Sequence, residues 1–225
     1  MTRPCALRTR AVITRTTRCL TRCYTGPSNW LGSRLTAAIA APSASYSFAT
    51  PGLRSQLGEW YLPLWEEVAA AARAGEQPIA TPSGQLKTTR TGFRDPARTM
   101  ADGDQFARRF GEHPVIIVVC ADLAQVHPTD TELGRLSVVG GASIYPMAQN
   151  LCLALRAQGV ATTFTTLLVA RETDVKQLLG IPAHMSTACH IVAGYPARPF
   201  PTRLHRPEVS QLAYADRYGG QFTAS

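Results

Sequence analysis

Acidic residues are missing from the first quarter of this chain. Residues 1 to 58 hold eight arginines and no Asp or Glu, while residues 59 to 225 hold 15 basic and 15 acidic side chains. The whole net charge of +8 therefore sits in an N-terminal arm. Three roles suit such an arm. It can bind nucleic acid electrostatically, it can be an organellar targeting segment rich in Arg, Ser and Thr, or it can bring arginines to a phosphate-bearing cofactor. A partly disordered arm with no specific role competes with all three. The arm lacks the aromatic interleaving of single-strand binders, so nucleic acid ranks last among its partners.

Long apolar runs are missing too. None approaches the ~18 residues of a membrane helix, and Arg3, Arg8 and Arg10 are not followed by the apolar core of a secretory signal. The expectation is a cytoplasmic protein with no membrane partner. Six cysteines do not make a disulfide framework. Cys5, Cys19 and Cys23 lie in the arm, and Cys19-x3-Cys23 has no second ligand pair for zinc. Cys120, Cys152 and Cys189 fall in apolar runs and read as small buried hydrophobes. There is no catalytic triad, metal-ligand cluster or phosphate-cradling glycine loop. Gly140-Gly141 lacks the G-x-G-x-x-G spacing, the histidines are scattered, and His190, inside an apolar strand, reads as a satisfied core residue. No catalytic residue and no metal ligand is assigned. That suits a protein whose cofactor carries the chemistry.

What is present is a core-forming pattern in 225 residues, enough for one domain with a divergent segment at 1–58 and an α+β body at 59–225. Leu31 to Ala41 suits a short helix, and Pro42-Ser43-Ala44-Ser45 is loop chemistry. Gln56 to Gly75 reads as an amphipathic helix interrupted at Pro63, with Trp60, Leu62, Leu64, Trp65, Val68 and Ala71 along one face. Residues 76 to 98, punctuated by Pro and Gly, form a long loop or lid. A helix is predicted over Asp102 to Phe110, then a central strand in VIIVVCADL after Pro114. Asp130 to Leu136 is a short helix or turn. Further on come a helix over Glu172 to Leu179, stopped by Gly180, and a strand over Ser186 to Tyr195. The tail VSQLAYADRYGG is extended or helical and free to wrap a partner. Helices and strands alternate unevenly, which predicts an α+β sandwich with a mixed sheet covered by helices.

The organising stretch is GGASIYPMAQNLCLALRAQGVATTFTTLLV, residues 140 to 169. Ser143 suits an N-cap and Pro146 the first turn. The helix that follows is apolar on nearly all sides, hence buried, and Gly159 stops it. VATTFTTLLV then reads as a strand. Thr162, Thr163, Thr165 and Thr166, beside a buried helix, are hydroxyls in need of partners. A polar ligand lying across the strand accounts for them, and so does plain strand propensity.

ASIYPMAQNLCLALRAQGVATTFTT, then VKQLLGIP, then VAGYP, resembles the C-terminal half of the FMN-dependent nitroreductase family. The ordered likeness runs from about Ala101 to Gly220, and the N-terminal half is divergent. It implies a three-layer sandwich, with a mixed, mainly antiparallel sheet flanked by helices. It also implies a homodimer with FMN at its interface, NAD(P)H as hydride donor, and a small electron-poor acceptor such as a nitroaromatic, quinone or enone. On the phosphate it implies Arg18 and Arg22, with Leu20 where the family carries a hydroxyl, and Arg203 and Arg206 in PTRLHRPEV. Pro42 and Ser43 match the loop under the flavin, although Tyr46, Phe48, Ala49 and Thr50 depart from the strand that should follow. Thr165, Thr166 and Leu167 match the segment along the isoalloxazine edge. A catalytically impaired or flavin-free member of the same fold is the other reading of that departure. A basic-arm nucleic-acid binder is the third.

Overall fold

Four strands and four longer helices carry the architecture of the computed structural model, which describes residues 15, 44–48, 50–74, 96–202 and 208–220. Of β1 only the backbone is described. The strands are β1 (Ala44–Phe48), β2 (Val115–Asp122), β3 (Ala161–Thr165) and β4 (Met185–Gly194). The helices are α1 (Pro51–Arg73), α2 (Pro96–Arg108), α3 (Ile144–Ala157) and α4 (Glu172–Leu179). The sheet order is β1-β2-β4-β3, and each of the three described pairings is antiparallel. The expected α+β sandwich is what forms.

β2 is the central strand that its unbroken apolar run demands: Val115 to Ala121 are all buried. Alternation divides it between two cores. Val115, Ile117, Val119 and Ala121 meet Cys189, Ile191 and Ala193 of β4 under Ile144, Ala148, Leu151 and Leu155 of α3. Ile116, Val118 and Cys120 face the other way, with Val192, toward Leu57 and Tyr61 of α1, Phe110, Leu168 and Val175. Three layers result, with α3 on one face and α1, α2 and α4 on the other.

α1 begins five residues before its predicted start, with Thr50 as N-cap and Pro51 opening the first turn. It also runs unbroken through Pro63. That residue lies on the exposed side, where the lost amide bond is tolerated while the opposite side stays packed. The buried positions are Leu57, Tyr61 and Ala69. Trp60, Leu62, Leu64 and Trp65 of the predicted face pack, partly buried, against the same core, with Leu57 and Tyr61 at its centre. Two glycines allow the close approach that seats the helix: a Cβ at Gly58 would lie 2.8 Å from the Gly111 amide nitrogen, and one at Gly111 would lie 2.7 Å from the Arg54 carbonyl oxygen. Tyr61 consequently stacks on Phe110, centroids 4.0 Å apart.

Several other expectations change. Ala44 and Ser45 are not loop but the start of β1, paired with Ala121 and Cys120. α2 starts at Pro96, so residues 96–98 are helical. α3 ends at the left-handed Gly159 as expected, but it is not buried all round: Tyr145 and Leu153 are exposed. Ser143 has helical dihedrals and makes no capping bond. The strand from residue 160 is shorter than predicted, because the chain turns into a 3-10 helix at Leu167–Arg171. α4 and its left-handed stop at Gly180 are as predicted. The predictions for Leu31–Ala41 and for residues 76–95 lie outside the described residues. No described helix is long and apolar enough to cross a membrane.

Candidate functional site at the open edge of the sheet

Among the described residues β3 is an edge strand, hydrogen-bonded only to β4. That position overturns the expectation of buried threonines. Thr163 and Thr166 are exposed, and Thr162 and Thr165 are half-buried, because nothing described covers the outer side. An edge presents unpaired main-chain donors and acceptors. Here they run beside threonine hydroxyls, a donor set that suits the polar rim of a flat heterocycle.

At the C-terminal end of β3 the two faces of the sheet are furnished differently. On the α3 side, Tyr145 and Phe164 approach with centroids 6.1 Å apart. On the α1 side, the Thr165 hydroxyl lies 3.3 Å from the Tyr61 hydroxyl and accepts the Leu167 amide at 3.3 Å. Burial raises the Tyr61 pKa, so that phenol stays neutral. The Thr166 side chain is exposed. The turn that follows is pinned by buried Leu168 and by Arg171, whose guanidinium sits 5.7 Å from the Trp60 ring centroid and 2.7 Å from Asp174.

His190 is the direct cross-strand partner of Thr165 and of Val118. It is completely buried, as expected of a core histidine, but it is not satisfied: neither ring nitrogen has a hydrogen-bond partner among the described residues. Burial pushes its pKa down to about 4. Cys120, Cys152 and Cys189 are buried, and burial is the first cause raising the thiol pKa of Cys152 and of Cys189, the latter to about 12. These thiols are core residues rather than nucleophiles. Among the described residues no group of three or more His, Cys, Asp or Glu could hold a metal ion.

Two hollows lie elsewhere. One of about 530 Å³, beside α4, has its charged groups already engaged: Glu172 accepts the Thr187 amide and hydroxyl, and Lys176 Nζ donates to the Ala183 carbonyl at 2.9 Å. The other, about 400 Å³, lies between Leu123, Val126, Ile144 and Tyr145. The loop at its rim is organised by Asp130, which accepts from Ser137 Oγ at 2.7 Å, Val138 N at 2.9 Å and Arg135 Nη1 at 2.8 Å. The Ser137 hydrogen bond is the largest influence holding that carboxyl down at about 2.

Of the residues singled out from sequence, Thr165, Thr166 and Leu167 come together in this edge turn. Arg18, Arg22, Pro42, Ser43, Arg203 and Arg206 lie outside the described residues. The arm is represented by Arg15, whose guanidinium donates to the Gln158 carbonyl at the C-terminus of α3 and lies 5.5 Å from the Tyr195 ring centroid. A cation there complements the helix dipole. Sequence reading missed Tyr61, Asp130 and the role of Arg15. Only Tyr61 had a signal, its four-residue spacing from Leu57 on α1.

The model of the nitroreductase family matches residues 31–195. The chain belongs to the nitroreductase family. The fold agrees with solved structures of low identity. The FMN-dependent nitroreductase NfnB from Mycobacterium smegmatis, in complex with NADPH, has 17% identity and a TM-score of 0.54, over 91% of this chain and 89% of that one. Oxidized iodotyrosine deiodinase bound to FMN and 3-iodo-L-tyrosine has 14% identity and a TM-score of 0.53, over 87% and 85%. A BluB-like flavoprotein from Clostridium difficile 630 has 12% identity and a TM-score of 0.50, over 81% and 86%. At these identities the likeness establishes the nitroreductase fold. No curated protein matches the sequence.

Proposed function

We propose that this nitroreductase-family chain is an FMN-dependent oxidoreductase that works as a cytoplasmic homodimer. It passes hydride from NAD(P)H to an electron-poor acceptor such as a nitroaromatic, quinone or enone. The observation that carries the reading is the outer edge of β3, where Thr165, Thr166 and Leu167 stand together beside main-chain groups that no described strand pairs, in a chain of this family. FMN, when bound, supplies the hydride-accepting and hydride-donating chemistry. The protein's own task is then to hold and orient: Thr166 and the strand edge for the ring, and Arg18, Arg22, Arg203 and Arg206 for the phosphate, where guanidinium forks suit the oxygens. The docking of Arg15 on the body favours the cofactor role of the arm over a free polycation.

The sheet order supports the homodimer reading. Ala44, which succeeds Pro42 and Ser43 in the chain, stands on the β1 edge, three strand spacings or about 14 Å from the β3 edge. In this reading the loop that precedes β1 and the Thr166 turn come to one site from two copies. Exposed Tyr145 and Leu153 on α3, with Val209, Leu212 and Tyr218 in the tail, give apolar surface for that contact. The second reading, a flavin-free member of the fold, rests on Leu20 and on the departures at Tyr46 and Phe48.

An absorbance spectrum with FMN titration, run beside sedimentation, separates the two. A yellow dimer that releases flavin on denaturation supports the oxidoreductase. In that protein Arg206→Ala weakens FMN about tenfold, the scale of one lost charge-assisted contact. A colourless monomer that never acquires the chromophore overturns the proposal.

A further inference from the structure

Thr165 and Thr166 are neighbours in sequence, but their hydroxyls are not equivalent. A threonine hydroxyl has one proton to give and two lone pairs to receive with. One lone pair of Thr165 takes the Leu167 amide at 3.3 Å, and the Tyr61 hydroxyl stands 3.3 Å away as either donor or acceptor. If Tyr61 donates, both lone pairs are filled and only the Thr165 proton is unassigned. Across the ladder, on the same face of the sheet, is His190, fully buried with neither ring nitrogen engaged among the described residues. A buried polar group without a hydrogen bond is costly, so His190 calls for a partner. Directly opposed residues have Cβ atoms about 5 Å apart, within reach of a small side-chain rotation or one bridging water.

We propose that His190 is a positioning residue that accepts the Thr165 hydroxyl proton, directly or through one internal water, and so closes a hub of Tyr61, Thr165, His190 and the Leu167 amide. The hub locks the turn between β3 and the 3-10 segment Leu167–Arg171. It leaves Thr165 no proton and no lone pair for a ligand. Exposed Thr166, held at a fixed angle by the hub, is the hydroxyl that meets the flavin edge. The imidazole suits an acceptor role, because burial keeps it neutral near pH 7. This division of labour rests on the FMN reading, whereas the hub itself does not.

The hub is tested on the flavin-free protein by nitrogen-15 spectra of the His190 ring. One neutral tautomer is expected. Thr165→Val and Tyr61→Phe should each shift the acceptor nitrogen, while Thr165→Ser should restore it and Thr162→Val should leave it in place. Ring shifts that ignore both Thr165→Val and Tyr61→Phe overturn the hub. If Thr165→Val does not fold, Tyr61→Phe and Thr165→Ser still decide. In a protein that binds FMN, Thr166→Val should alter the flavin spectrum and weaken FMN several-fold. Thr165→Val should weaken FMN less than Thr166→Val does. Equal effects of the two variants on FMN overturn the division of labour. Failure of wild-type protein to bind FMN overturns the oxidoreductase reading and that division, while the ring spectra judge the hub.

Discussion

The Tyr61 and Thr165 hydroxyls meet at 3.3 Å across 104 residues of chain, joining α1 to the end of the edge strand. Tyr61 brings two contributions to this junction, a ring stacked on Phe110 and a hydroxyl on Thr165. They separate by mutation. Tyr61→Phe keeps the stack and loses one hydrogen bond, so urea denaturation should show a loss of about 1 kcal/mol. Tyr61→Ala removes the buried ring as well and should cost about 4 kcal/mol. Near-equal losses would show that the ring contributes nothing beyond the hydroxyl contact, and an unchanged Tyr61→Phe would show that the hydroxyl contact contributes nothing.

His190 makes stability depend on pH. Its pKa falls from 6.5 to about 4 through desolvation, with no charged group among the named causes. The unfolded chain therefore binds this proton first as pH drops, and stability is lost from about pH 6.5 downward. The loss reaches about 3 kcal/mol near pH 4, at about 1.4 kcal/mol per pH unit. His190→Leu should flatten this part of the stability curve between pH 6.5 and 4. A variant whose curve keeps the wild-type slope would assign that acid lability to another group.

Asp130 works in the opposite chemical sense, as a carboxylate that must stay charged. Ser137, Val138 and Arg135 all donate to it, and together they fold the loop into α3. Its carboxyl pKa is lowered from 3.8 to about 2, so its contribution is complete above pH 3.8 and disappears as pH falls through about 2. Asp130→Asn keeps the size and loses the charge. It should lower the melting temperature at neutral pH and speed amide exchange at Val138 and Gly140, while β2 and β4 amides keep their protection.

How much of this was legible in the sequence differs by element. β2 could be read because seven consecutive buried residues leave a strand no polar face. The stops at Gly159 and Gly180 could be read because left-handed backbone favours glycine. The burial of β3 could not, since Thr162 to Thr166 have strand propensity at an edge or a centre alike, and only the pairing order decides. α3 misled because apolar composition does not say whether a second surface is covered; Tyr145 and Leu153 are exposed in one chain. Pro63 misled because its cost depends on which side of the helix it occupies. The Tyr61–Thr165 and His190–Thr165 relations join residues far apart in the chain, beyond any local pattern.

Arg15 offers a test of what the basic arm is for. Its bond to the Gln158 carbonyl and its place over Tyr195 hold one point of the arm at the C-terminus of α3. Arg18 follows three residues later in the sequence. If the arm serves the cofactor's phosphate, Arg15→Ala should weaken FMN about tenfold and riboflavin, which has no phosphate, less than about twofold. Arg15→Lys keeps a cation over Tyr195 and a donor for Gln158, and should recover part of the loss. Two titrations per variant, followed by flavin fluorescence, decide the matter. Parallel losses of FMN and riboflavin would mean that Arg15 supports the body of the protein, not the phosphate end of its ligand.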